Sequence, residues 1–328
     1  MKDISWGMIG CGEVCELKSG PAFQKAEGSR LVALMRRNAE KAEDFAQRHG
    51  VERWYSDAGK LVSDPGVDAV YVATPPDSHA ELAILAARAG KPVYVEKPLS
   101  RSAKESETIL RACREARVPL FVAYYRRQLP RFLAIRELLD SGEIGRVRQV
   151  NLSLLRPAPL LDEPLPWRFL PERSGGGKFV DLGSHMLDFL DFVLGPAEEV
   201  RGIAGKQGVP HEAEDAVSAL ISYPKEVQAM GQWAFSAEAD SEYHDRFEFY
   251  GSRGRLSFSF FRVEPLCLET PDGSREIPVE DPPHIQQPLI QSIVDELRGK
   301  GQCPSTGESA LRTDRVMDRI LENWRTST

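Results

Sequence analysis

Two glycines separated by one residue, Gly10-Cys11-Gly12, follow the apolar run Ile4-Ser5-Trp6-Gly7-Met8-Ile9. Glycine at these places allows a tight turn and lets a pyrophosphate approach the backbone N–H groups that open the next helix, with Glu13 and Val14 completing the loop. Taken alone, the spacing also fits an ordinary strand-to-helix turn. The third position of the dinucleotide fingerprint, where Gly or Ala lets helix and strand pack closely, is Cys15, a larger side chain that widens the turn. Further on, Leu31-Val32-Ala33-Leu34-Met35 ends in Arg36-Arg37-Asn38, where NAD-binding sequences of this pattern carry a carboxylate for the ribose hydroxyls. A guanidinium there suits a 2′-phosphate, so Arg36 and Arg37 point to NADP(H), with NAD(H) as the alternative. Two solvated surface arginines are the plainer reading of the same pair.

Other clusters carry groups that could move protons or bind oxygen. Thr74-Pro75-Pro76-Asp77-Ser78-His79 and Val95-Glu96-Lys97-Pro98 each follow a short apolar run, at the strand ends where open α/β sheets bind ligands. Asp181 and His185 stand four apart after a glycine run, so on one helical turn they face the same side, as a proton-transferring pair requires. In isolation that spacing is ordinary helix-surface polarity. The five cysteines are odd in number and scattered, which suits neither a disulfide framework nor zinc, and His211, His244 and His284 lack ligand neighbours at metal spacing. No metal is expected.

The elements that must hold these groups follow from periodicity. Up to about residue 122, short apolar runs alternate with helix-period runs: strands at Ile4, Arg30, Ala69, Pro92 and Pro119, helices near Ala39–Arg48 and from Ala103. This predicts an α/β Rossmann domain over 1–122, a doubly wound parallel sheet. Over 123–328 strands follow one another directly, as in Arg148–Leu155, Ala213–Tyr223 and Val227–Phe235. The pattern predicts an α+β domain with a large, mainly antiparallel open sheet. A hairpin pairs Phe247–Tyr250 with Leu256–Phe260, and two amphipathic helices close the chain near Ile285–Arg298 and Gly307–Trp324.

In combination, Gly10-x-Gly12, Glu96-Lys97-Pro98 and the run Gly175-Gly176-Gly177-Lys178-Phe179-Val180-Asp181-Leu182-Gly183-Ser184-His185 resemble the glucose-fructose oxidoreductase / inositol 2-dehydrogenase / rhizopine-catabolism family, Gfo/Idh/MocA. The Glu-Lys-Pro triplet is that family's most telling local mark, and the similarity covers nearly the whole chain. The resemblance implies reversible hydride transfer between a nicotinamide and a carbinol or carbonyl of a sugar, cyclitol or related polyol. It implies Lys97, Asp181 and His185 as the catalytic set, His185 moving the proton with an imidazole's near-neutral intrinsic pKa and Lys97 stabilising alkoxide charge. Thr74, Pro75, His79, Glu96 and Lys97 fall on the cofactor side, His79 chiefly as a brace for its strand-to-helix turn. Lys97, Tyr125, Arg126, Trp167, Arg168, Asp181 and His185 fall on the substrate side; Tyr125 stands where members often carry Asn or His, and Trp167-Arg168 serve either as contacts or as packing.

The bulk properties exclude other classes. A net charge of -7 on 328 residues gives no general attraction to nucleic acid or anionic membrane, and the chain opens on a strand without a signal-like segment, so a cytoplasmic protein is expected. The expected partner beyond the small-molecule substrate is a second copy of the chain, as homodimer or homotetramer, through an open sheet face bearing the aromatic residues of the Phe247–Phe260 hairpin. Three rival functions keep the scaffold or part of it: a glycosidase working through a retained NAD, a non-catalytic NADP sensor, and a scaffold protein. The intact Lys97, Asp181 and His185 set argues against the sensor.

Overall fold

The computed structural model describes residues 2–12, 14–158, 165–208, 210–237 and 243–326, so Glu13 of the expected cofactor loop lies outside the described residues. The chain divides into two units. Met1–Leu129 with Pro282–Leu311 form the first, and Pro130–Asp281 with Arg312–Thr328 the second. Where a single boundary at residue 122 is expected, the segment 282–311 instead returns to the first unit.

The first unit holds six strands, β1 (Ile4–Ile9), β2 (Ser29–Met35), β3 (Arg53–Tyr55), β4 (Ala69–Val72), β5 (Val93–Val95) and β6 (Leu120–Val122), in the order β3-β2-β1-β4-β5-β6. Every pair in it is parallel. This is the doubly wound order, whose direction reverses between β1 and β4 and opens a crevice at their carboxyl ends. Helices α1 (Gly20–Lys25), α2 (Ala39–His49), α3 (Ala58–Val62), α4 (His79–Arg88) and α5 (Ala103–Ala116) make the crossovers. The strands read as unbroken apolar runs because both sheet faces are covered: β4, β5 and β6 have no exposed position. The returning segment completes this unit at an edge. Ser305 donates from its hydroxyl to Val122 O and accepts the Val122 N–H at its own carbonyl, and Thr306 bridges Phe121, so the open side of β6 is sealed.

The second unit is built on eight strands: β7 (Val147–Pro157), β8 (Glu199–Gly205), β9 (Ala216–Tyr223), β10 (Val227–Ala237), β11 (His244–Gly251), β12 (Arg255–Phe258), β13 (Leu266–Thr270) and β14 (Gly273–Ile277). Their order is β14-β13-β12-β11-β7-β10-β9-β8, antiparallel throughout except for the central β7–β10 pair. With α6 (Pro130–Asp140), α7 (Pro171–Ser174) and α8 (Ser184–Leu194), these make the mainly antiparallel sheet domain expected.

One face of this sheet is the core. Phe247, Phe249 and Phe258 point into it and meet Phe189 of α8, while Phe132 of α6 meets Phe189 and Phe258. The hairpin phenylalanines are therefore buried, contrary to the open-face expectation; alternation identifies two faces but not which one the helices cover. The exposed apolar side chains of the sheet lie instead on β8, β9 and β10, where Ile203, Leu220 and Met230 are 76%, 61% and 54% exposed. Among the described residues, no helix is long and apolar enough to cross a membrane.

Candidate active site

In the first unit the glycine turn is fixed by sterics. Gly10 has φ +89°, and a Cβ there would lie 2.7 Å from Thr74 Cγ2 and 3.0 Å from Ala73 O, so only glycine lets the end of β1 nest against the end of β4. At Gly12 a Cβ would meet, among the described residues beyond its chain neighbours, no atom within 4 Å, which leaves room on that side for a group such as a phosphate. The Cys15 and Glu16 N–H groups turn back onto Gly12 O, and Cys15 is buried with its thiol on Gly10 O at 3.2 Å. From Cys15 to Ser19 the helix is wound as a π turn, wider than α, before α1 begins. Gly20 closes that turn by donating to Cys15 O, and a Cβ on Gly20 would sit 2.3 Å from the same oxygen. This is the widened turn that Cys15 suggests, with Val14 just ahead of it.

Arg36 follows β2 directly. Its N–H donates to Tyr55 O at 3.1 Å, which anchors its backbone at the tip of the sheet; its side chain is half-buried and that of Arg37 exposed. Asn38 then caps α2 through the Lys41 N–H. The loop and the open side of Gly12 fit a dinucleotide, with Arg36 and Arg37 at the tip of β2.

Beside the turn, Ser78 donates to Thr74 Oγ1 at 2.8 Å and to Pro75 O at 3.0 Å, which fixes the segment between β4 and α4. His79 is fully buried, with Nε2 2.7 Å from Thr74 O and Nδ1 3.1 Å from Pro98 O. It ties the end of β4 to the segment after β5, a bracing role, and burial pulls its pKa down. Glu96 is equally committed. Its Oε1 accepts from Tyr71 at 2.5 Å and Gln286 at 2.8 Å, its Oε2 from the Lys97 N–H at 3.2 Å, and Gln286 in turn accepts from Tyr94. The carboxylate thus faces the protein interior and sets the backbone from which Lys97 projects. Lys97 is half-buried and its peptide bond to Pro98 is cis. Tyr125 and Arg126 are buried on a short turn, where Arg126 stacks on Tyr125 and donates to its hydroxyl at 3.1 Å. Gln286 has no signal in the sequence that could have marked it.

In the second unit the glycine run makes the other corner. Gly175 has φ +84°, and a Cβ on Gly177 would lie 2.4 Å from Glu214 O. The run thereby presses onto buried Glu214, which accepts the Gly177 N–H at 2.7 Å and whose carboxyl is pushed up to about 7 by burial. A second π turn, Phe179–Gly183, carries Asp181 and leads into α8, which carries His185 at 4% exposure. Gly183 lets the turn close against its own Phe179 and against Trp233, which a Cβ would approach to 2.7 and 3.3 Å. Asp181 lies 3.8 Å from Arg168 Nε and 3.7 Å from Lys178 Nζ, and Arg168 stacks on Trp167 at 4.4 Å. Trp167, Arg168 and Asp181 are therefore brought together; Lys178 was not singled out by sequence reasoning, though it adjoins the glycine run. Buried polar groups further along α8 are satisfied: Arg312 makes a bidentate pair with Asp191 at 2.7 and 2.8 Å, and Thr313 donates to Asp188.

Comparison with known proteins agrees with this architecture. Residues 4–124 match the sequence model of an oxidoreductase family with an NAD-binding Rossmann fold, and residues 132–257 match that of the GFO/IDH/MocA C-terminal domain. An oxidoreductase of Formosa agariphila is 39% identical over 96% of this chain and 97% of its own length. The 1,5-anhydro-D-fructose reductase of Ensifer adhaerens is 30% identical over 93% of this chain and 92% of its own. Among solved structures, levoglucosan dehydrogenase in complex with NADH and levoglucosan superposes with a TM-score of 0.87 at 23% identity, covering 100% of this chain and 98% of its own. With both halves matched and a 39% identical relative spanning almost its full length, the chain belongs to the Gfo/Idh/MocA family of NAD-binding oxidoreductases.

Proposed function

We propose that this protein is an NADP(H)-preferring dehydrogenase/reductase that interconverts a carbinol and a carbonyl on a sugar, cyclitol or related polyol. The observation that carries the reading is the Gly10–Gly12 turn nested against Thr74 at the β1/β4 crevice, open on the Gly12 side, in a chain of an oxidoreductase family. Polyol-type substrates are supported by the relatives named for 1,5-anhydro-D-fructose and levoglucosan. Bound nicotinamide supplies hydride acceptor and donor chemistry at its C4. The Gly10–Gly12 loop and Val14 hold the pyrophosphate at a helix start, and Thr74 and Pro75 shape the neighbouring wall.

In the oxidation direction His185 takes the proton of the reacting hydroxyl, and in reduction it returns one to the carbonyl oxygen. Asp181, balanced by Arg168 and Lys178, keeps the polar environment at the start of α8 in which that imidazole works. Lys97 hydrogen-bonds the reacting oxygen and stabilises its alkoxide character, from a backbone set by Glu96 and His79. Arg36, with Arg37, pairs with the 2′-phosphate.

The test is a screen of sugars, cyclitols and their keto forms for absorbance change at the nicotinamide band with each nucleotide, joined to dissociation constants for wild type and Arg36→Asp at fixed salt. A guanidinium–phosphate contact is worth ~1.5–3 kcal/mol, so wild type favours NADP(H) by roughly tenfold to a hundredfold and the variant reverses the order. Equal binding of both nucleotides by wild type removes the preference, and absence of turnover on every polyol removes the activity.

A further inference from the structure

Along β7 alternate side chains line one sheet face, and the buried row Val150, Leu152, Leu154 continues to Arg156. This is the face on which α8 packs: Phe247, paired with Leu152, and Phe249, paired with Val150, both meet Phe189. The row thus ends in a guanidinium under the amino-terminal end of α8, where His185 lies one turn ahead of Phe189. Phe261 links the two, its ring 6.5 Å from the His185 ring and 5.3 Å from the Arg156 guanidinium.

Arg156 is held and underused. Its guanidinium stacks 4.4 Å from the Tyr243 ring and donates to the Tyr243 hydroxyl. Among the described residues it has no carboxylate partner, and its Nε is buried without an acceptor. The nearby acids are engaged elsewhere. Asp245 accepts the N–H groups of Phe260, Phe261 and Arg262, and Glu264 pairs with Arg262 at 3.0 Å and accepts from Ser259. The wall itself is rigid, because buried Arg131 donates to the carbonyls of Ser259, Phe260 and Arg262 from the other side. A guanidinium clamped between two rings, with little of its rotamer freedom left to lose and donors unspent, is preorganised for an anion arriving from outside the chain.

We propose that Arg156 binds a carboxylate of the substrate, so that the polyol turned over at His185 is a sugar acid, a uronate or an aldonate. The planar fork matches a carboxylate, and one cation balances one negative charge, whereas a phosphate ester carries close to two. The inference rests on the dehydrogenase reading and narrows its substrate class.

The experiment compares kcat/KM of the full chain for D-glucuronate and D-gluconate against D-glucose and D-glucitol, with D-glucose 6-phosphate as a third arm, at low and high salt. The expected result is an acid-to-neutral ratio of about tenfold or more that shrinks as salt rises, a collapse of that ratio in Arg156→Gln, and its partial retention in Arg156→Lys. A wild-type ratio near one, a preference for the phosphate ester, or an Arg156→Gln variant that loses acid and neutral turnover in equal proportion overturns the assignment of Arg156 while leaving the dehydrogenase standing. If none of these nor any other polyol is turned over, the dehydrogenase reading fails and this inference with it.

Discussion

The corner from Gly10 to Gly20 in the first unit and the corner from Gly175 to Ser184 in the second are built alike. Each begins at a glycine in the left-handed region, passes through one five-residue π turn, and uses a further glycine to let the wide turn close or pack. They diverge in what they carry. The first corner keeps the Cys11 and Cys15 side chains inside and presents backbone with an open side at Gly12. The second presents side chains, Asp181 between two cations and His185 at the head of a helix whose other polar groups are already paired. Under the proposed function, one device for starting a helix serves a backbone cradle in one unit and a side-chain acid/base in the other. π turns are uncommon and gather at functional sites, which fits their presence at both.

The largest expected effect tests the side-chain corner. His185→Asn should lower turnover by ~10²–10⁴ while leaving the nucleotide dissociation constant close to wild type, because the first unit is untouched. An undiminished kcat would remove His185 from the chemistry and with it the contrast between the corners. Next comes the backbone corner. Gly12→Val adds atoms where the protein has none, so its melting temperature should match wild type while nucleotide affinity falls about tenfold or more. The same change at Gly10 should destabilise the fold as well, since a left-handed non-glycine residue costs roughly 1–2 kcal/mol before any clash with Thr74. Equal nucleotide binding by the Gly12 variant would show that the open side is not where phosphate sits.

The last test lies beneath the second corner, leaves turnover aside and is read through pH. Glu214 keeps its proton in the folded protein up to about 7, against 4.5 for a free side chain, so the folded state binds the extra proton between those values. Its contribution is fully present below about 4.5 and is lost as pH rises through about 7, a loss of about 3 kcal/mol at most. Urea midpoints at pH 5 and pH 8 should therefore fall further for wild type than for Glu214→Gln. Parallel falls in the two proteins would mean that Glu214 is ionised in both states throughout.

What was legible in the sequence follows the range of the physics. The doubly wound sheet shows because buried parallel strands read as apolar runs and helices as 3.6-period runs, both local patterns; the edge strand β3, three residues long, leaves no such run and is absent from the sequence reading. Gly10 and Gly12 are legible because a tight turn demands glycine whatever surrounds it. The π turns leave no periodic trace over five residues, and the β7–β10 parallel pair joins strands separated by two others in sequence. Gln286 closes on Glu96 across 190 residues, so neither partner announces the other. Arg156 was within reach, since counting the alternation one step beyond Leu154 puts a charge on the covered face. Alternation alone does not say which side of the sheet α8 and α6 take, so the buried hairpin phenylalanines read in the sequence as an open face.

The return of residues 282–311 to the first unit has a consequence for how the protein is made. A ribosome releases Met1–Leu129 long before Gln286, Ser305 and Thr306 exist, so the nascent nucleotide-binding half carries Glu96 without its glutamine and β6 with an open edge. Its last strand stays unprotected while the whole of the second unit's sheet is being synthesised. Completion of the dinucleotide fold is thereby deferred until residues 282–311 have been synthesised, and a nascent chain arrested before residue 282 exposes a sticky strand where the finished enzyme has none.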